Sequence, residues 1–156
     1  MTLRIVALDP GGTTGWATFT LDGSTQEWDC GQLEGPHHNR LDQMLERFRT
    51  VEYHIVCESF EYRNVSRAGL VLDSVEYIGV MKRFCQAWQV EYTMQTASMG
   101  KVGNRTNSFV KKSNLQKLGL WSSGNIHAMD AYGHLLYYMI NDVGLFRQEL
   151  LEKGWR

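Results

Sequence analysis

The period of the apolar positions changes several times along the chain, and each change marks an element. Residues 3–8 (LRIVAL) form a nearly unbroken apolar run that stops at Asp9, as expected of a strand covered on both faces. Residues 15–21 (GWATFTL) alternate, Asp22-Gly23 is a strong hairpin turn, and 25–33 return as a third strand. Over 37–52 the spacing lengthens to helical, with Leu41, Met44, Leu45 and Phe48 on one stripe. Residues 53–57 (YHIVC) are a short apolar strand ending at Glu58. Residues 68–89 read as a long helix, with Val71, Val75, Ile78, Met81 or Lys82, Cys85 and Trp88 repeating at helical spacing. A strand follows at 90–95, then a polar, basic stretch with a helix over 107–118. A final helix runs over 125–141, with Ser122, Ser123 or Asn125 available as its cap. The order β-β-β-α-β-α-β-α-α predicts an α/β mixed sheet of five strands, three antiparallel and then two parallel, flanked by helices.

This pattern places acids at matching ends. Asp9 closes the first strand and Glu58 the fourth, the next strand able to lie parallel beside it. Functional groups of open α/β sheets gather at such carboxyl ends. In the last helix His127 and Asp130, three residues apart, share one face. Singly, each has a plainer role: Asp9-Pro10-Gly11 makes a good turn, a Glu after a strand is often solvated, and Asp130 suits a helix start. Together they form a cluster of carboxylates that repel unless protonated or neutralised by a cation. Oxygen ligands with one imidazole suit Mg²⁺ or Mn²⁺.

Composition adds little to this except through charge. The 156 residues, 43% hydrophobic and 21% charged, suit one globular domain spanning 1–156. No apolar run is long enough to span a membrane, and no targeting leader precedes the first strand. Three widely spaced cysteines suggest reduced thiols in a cytoplasmic protein. The net charge of −1 conceals an asymmetry: residues 62–129 carry nine Lys/Arg against three acids, and 92–129 carry five basic residues and no acid. Such a segment attracts phosphates.

Three stretches, IVALDPGGTTGWA, HIVCESFEYRN and IHAMDAYGHLLYY, resemble in that order the acidic motifs of the RuvC-like Holliday-junction resolvases, bacterial and bacteriophage nucleases of the ribonuclease H-like superfamily. The resemblance covers almost the whole chain and implies a ribonuclease H-like fold. It implies metal-dependent cleavage of DNA phosphodiesters at two Mg²⁺ or Mn²⁺ ions. Asp9 would bridge both ions, Glu58 would bind one, and Asp130 with His127 the other. His127 stands where many members carry Asp. The bare turn around Gly12, with Thr13 and Thr14, would meet the phosphate backbone. The loop 59–67 would carry the residues that open the DNA: Phe60 or Tyr62 as a stacking wedge, with Arg63 and Arg67 beside them. Lys101, Arg105, Lys111 and Lys112 would bind phosphates. The expected partner is branched or junction DNA, bound by a homodimer formed through the 68–89 helix, with Gly69 and Gly79 allowing close approach and Val80, Phe84 and Trp88 shared. His134, one turn beyond Asp130, reads as a helix-packing histidine. Exonuclease or flap cleavage would use the same site. The first motif is also similar to the phosphate loop of actin-like ATPases, but this chain has room for only one of their two lobes. An inactive nucleic-acid-binding module would fit the fold but not the intact acids.

Overall fold

The computed structural model describes residues 2–48, 52–61, 72–103 and 108–145. Its elements run β1 (Thr2–Asp9), β2 (Thr13–Asp22), β3 (Thr25–Glu34), α1 (His38–Phe48), β4 (Tyr53–Glu58), α2 (Asp73–Trp88), β5 (Tyr92–Gln95), α3 (Ala97–Gly100), α4 (Lys112–Lys117) and α5 (Ile126–Asn141). The sheet order is β3-β2-β1-β4-β5. β1 pairs antiparallel with β2 and parallel with β4, β2 pairs antiparallel with β3, and β4 pairs parallel with β5.

Successive side chains of a strand point to opposite faces, and that alternation sorts the core into two layers. Ile5 and Ala7 of β1, Ala17 and Phe19 of β2 and Val56 of β4 face α5, where Met129, Tyr132, Leu135, Leu136 and Met139 cover them. Val6, Leu8, Ile55 and Cys57 face the other way, under Leu41, Met44 and Leu45 of α1 and Tyr77, Ile78, Met81 and Phe84 of α2. By the same parity, Asp9 continues the series 5, 7, 9 and Glu58 the series 56, 58. Both acids therefore emerge on the α5 side.

α5 lies unusually close to the sheet and to α3. A methyl group on Gly15 would stand 1.9 Å from the His127 carbonyl oxygen, and one on Gly133 would stand 1.7 Å from that of Gly100. Neither glycine has a positive φ; what each provides is space. This revises the sequence expectation for the turn of the first motif, whose last glycine admits the first turn of α5.

Several boundaries differ from the pattern-based expectation. The buried stripe of α2 is Tyr77, Ile78, Met81, Phe84 and Cys85, while Val75 and Trp88 are exposed. Phe84 is thus a core residue and unavailable for contacts between subunits. α2 ends where Gln89 adopts a left-handed conformation (φ 55°, ψ 40°), which delays β5 to Tyr92. α3 was not anticipated, and α4 begins at Lys112 rather than 107. The expected starts of the 68–89 and 107–118 helices lie outside the described residues, and Glu52, the expected end of the 37–52 helix, is not helical. No helix among the described residues is long and apolar enough to cross a membrane.

Gly15→Ala and Gly133→Ala should each destabilise the chain by about 1–3 kcal/mol, because backbone rather than a flexible side chain must yield. Urea denaturation reads this directly, and unchanged midpoints would contradict the close approach of α5.

Candidate active site

Three carboxylates meet at the carboxyl ends of β1 and β4, opposite the first two turns of α5. Asp9 and Asp130 are buried, at 5% and 6% exposure, and Glu58 is partly exposed. Each is met by a donor from a different place in the chain. His127 Nδ1 stands 3.4 Å from Asp9 Oδ2. His134 Nε2 donates to Glu58 Oε2 at 2.9 Å. The Val102 amide donates to Asp130 Oδ1 at 2.9 Å, and Lys101 Nζ lies 3.6 Å from Asp130 Oδ2. The stripe His127, Asp130, His134 follows helical spacing, so one face of α5 addresses all three acids.

The electrostatics follow from this crowding. Burial raises the Asp9 carboxyl most, the Glu58 and Asp130 charges raise it further, and Lys101 opposes them; the result is a pKa of about 8. At neutral pH Asp9 is therefore largely protonated and donates a hydrogen bond to Glu58. Burial also pushes Glu58 upward, but the His134 hydrogen bond and charge, Lys101 and the Asp9 hydrogen bond outweigh it and hold the carboxyl below its usual range. Lys101 loses some affinity for its proton to burial, then regains more from Asp9, Asp130 and Glu58, and ends above its ordinary value. It is thus coupled to all three acids.

The donor set has the chemistry of a hard divalent-cation site: clustered carboxylates, one of them holding a proton because it is buried beside two other acids. Among the described residues, no three His, Cys, Asp or Glu side chains are already gathered into a ready-made cage. Their oxygens are engaged by His127, His134, Lys101 and the Val102 amide. The residues fit such an ion in kind: it would take the place of the Asp9 proton and of the Lys101 charge beside Asp130.

The remaining expected site residues divide into groups. Gly12 is exposed and Thr13 partly so, at the rim of the turn beside Asp9. Thr14 is corrected: it is fully buried, on the opposite face of the sheet. Its hydroxyl contacts His37 Nε2 at 2.6 Å and the Gly11 backbone at 3.3 Å, so it braces the turn from beneath. His37, also buried, donates through Nδ1 to the Gly35 carbonyl and stacks on Tyr77 at 3.6 Å. Burial pushes its pKa below the usual range, which suits a neutral ring accepting the Thr14 proton. Phe60 is 38% exposed, two residues beyond Glu58. Lys111 and Lys112 open α4 on the α5 side, where Lys112 Nζ lies 5.0 Å from the Trp121 ring centroid. Tyr62, Arg63, Arg67 and Arg105 lie outside the described residues.

Sequence reasoning missed Gln32, Gln95 and Val102, read His134 as a packing residue, and gave Lys101 only a phosphate-binding role. The expected cap of α5 is replaced: Asn125 occupies the cap position but its side chain donates to Ser122 Oγ rather than capping the helix, and Gln32 of β3 accepts from the His127 amide at 3.0 Å instead. Gln95, His134 and the Lys101–Val102 segment also touch the acids or their partners. All are distant in sequence from what they contact, and only the spacing of His134 from Asp130 was a local signal.

The Asp9 shift makes a prediction for the metal-free protein. An acid whose folded pKa lies above its unfolded value stabilises the fold while protonated and loses that contribution as pH rises through the folded pKa. From pH 7 to 8.5 the melting temperature of the metal-free protein should fall, and Asp9→Asn should remove most of the slope. Equal slopes in both proteins would contradict the raised pKa.

No protein-family model matches the sequence, and neither does any curated protein. Solved structures do match. The RuvC structure from Thermus thermophilus superposes with a TM-score of 0.61 at 16% identity, covering 90% of this chain and 96% of that one. T. thermophilus RuvC in complex with a Holliday junction substrate matches with a TM-score of 0.62 at 16% identity, over 91% and 96%. With the sheet order and parallel β1, β4 and β5, these matches give the chain a RuvC-like, ribonuclease H-like α/β fold.

Proposed function

We propose that this chain is a metal-dependent, structure-selective DNA endonuclease that resolves four-way or otherwise branched junctions. The observation that carries the reading is the convergence of Asp9, Glu58 and Asp130, with His127, at one sheet edge. That arrangement sits on a fold shared with a protein solved on a Holliday junction substrate.

In this reading Asp9, Glu58, Asp130 and His127 hold two Mg²⁺ or Mn²⁺ ions. Bound there, such ions supply an activated water and charge stabilisation for an in-line displacement at phosphorus. Asp9 would hold the cation as the carboxylate, its charge balanced by the ion in a site where burial and the neighbouring acids otherwise favour the proton. Lys101, coupled to all three acids and 59% exposed along its side chain, offers a positive charge to the scissile phosphate. Gly12 and Thr13 let the backbone approach, Phe60 stacks on an unpaired base with Tyr62, Arg63 and Arg67 nearby, and Lys111, Lys112 and Arg105 take up phosphates.

Symmetric cutting requires two sites, hence a homodimer working on DNA in the cytoplasm. The outward face of α2 suits the contact: Val75 and the preceding Leu72 are each 42% exposed, and a methyl group on Gly79, on the same face, would meet nothing within 4 Å.

The test offers four-way junction, duplex and single-stranded DNA with Mg²⁺ or Mn²⁺, with Asp9→Asn as control. Paired symmetric nicks in the junction, lost in Asp9→Asn, are expected. Progressive loss from DNA ends would move the protein to the exonucleases, and no metal-dependent cutting of any substrate would overturn the enzymatic reading. Lys111→Ala and Lys112→Ala should each weaken junction binding and reduce the salt dependence by about one counterion. An unchanged salt slope would remove that lysine from the phosphate contacts.

A further inference from the structure

His134 has more polar engagement than packing requires. It is 0% exposed in the middle of α5, surrounded by apolar residues, yet both ring nitrogens are in contact with polar atoms. Nε2 donates to Glu58 Oε2 at 2.9 Å, and Nδ1 lies 2.8 Å from Gln95 Oε1. Gln95 is itself buried at 2% exposure and lies at the end of β5, directly beside Glu58 in the parallel register. Its Nε2 is the buried side-chain nitrogen without a hydrogen-bond partner among the described residues. An aliphatic residue would fill this space without the cost of desolvating two polar side chains.

The ring is also confined. A methyl group on Gly100 would stand 2.1 Å from the His134 ring, so α3 lies flat against it. Gly133 in turn leaves room for the Gly100 carbonyl. Sealed between α3 and β5 and tied at Nδ1, the imidazole has one free direction for its Nε2 proton, and Glu58 stands there. The arrangement does not depend on which way the Gln95 amide is turned, because an unprotonated Nε2 would set a lone pair against a carboxylate.

We propose that Gln95 and His134 are positioning residues for Glu58. Gln95 fixes the imidazole, and the imidazole fixes one carboxylate oxygen, leaving the other to meet a divalent cation. This rests on the metal-dependent reading above and adds to it a supporting chain that runs from β5 through α5 to β4. A ligand held in this way binds metal more tightly than one free to rotate, and loss of such a support typically weakens affinity 10–100-fold.

The test is direct Mn²⁺ binding to the metal-free protein, followed by electron paramagnetic resonance, beside a thermal melt of each variant without metal. His134→Leu keeps the bulk and removes the donor; its Mn²⁺ affinity should fall about 10–100-fold. His134→Gln, whose amide reaches the place of Nε2, should recover most of that loss. Gln95→Leu leaves the donor but releases the ring, and should fall between the two. A purely structural role would shift the melts without this ordering of affinities. Wild-type affinity in folded His134→Leu and Gln95→Leu would overturn the proposal. If His134→Leu does not fold, Gln95→Leu decides alone: weakened binding supports the positioning role and unchanged binding overturns it. Failure of the wild-type protein to bind Mn²⁺ would be a different result, overturning the metal reading and this inference with it.

Discussion

Like charges brought together out of water set the terms for everything near the carboxyl edge of this sheet. Asp9 and Asp130 are buried, Glu58 nearly touches them, and three free carboxylates in that space would cost far more than the fold can supply. The chain answers with four devices. Asp9 keeps its proton, Glu58 takes a hydrogen bond from His134, Asp130 takes one from the Val102 amide, and Lys101 is shared among all three. The Asp9 proton and the Lys101 charge are reversible in a way suited to a cation, because a divalent ion supplies the positive charge that the protein otherwise provides piecemeal.

The scaffold is arranged so that these partners arrive together. α5 brings His127, Asp130 and His134 along one face, but only because it packs almost in contact with β2 at Gly15 and with α3 at Gly100. A bulkier residue at Gly15 or Gly133 would lift the helix and with it three donors or ligands at once. The opposite layer contributes differently. Thr14, His37 and Tyr77 lock the turn after Asp9 from below, which leaves Gly12 and Thr13 at the surface. Rigidity is thus concentrated under the site, and the small exposed residues lie above it.

Much of this was legible from periodicity. The first strand's unbroken apolar run, the Asp22-Gly23 hairpin, the short strand ending at Glu58 and the final helix all have strong local patterns, and they form within a residue or two of the expected positions. Asp9 and Glu58 could be assigned to one edge because parallel neighbours end together, and His127 and Asp130 to one face because three residues nearly complete a helical turn. The amphipathic phase of α2 was less legible. Its apolar residues extend beyond the buried stripe, so Val75 and Trp88 compete on equal terms with Tyr77 and Phe84 in the sequence, and only packing against α1 chooses between them.

Residues whose role depends on a distant partner had no local signal. Gln32 capping α5 from β3, Gln95 holding His134, and Lys101 placed among the acids are each ordinary polar residues in their own neighbourhoods. The sequence alone determined which groups have the chemistry for a cation site and which elements carry them, because strand alternation and helical spacing are properties of the local backbone. The tertiary structure alone decided how the charges are balanced, because a carboxylate's proton, its donor and its neighbours are set by burial and by side chains that come from elsewhere in the chain.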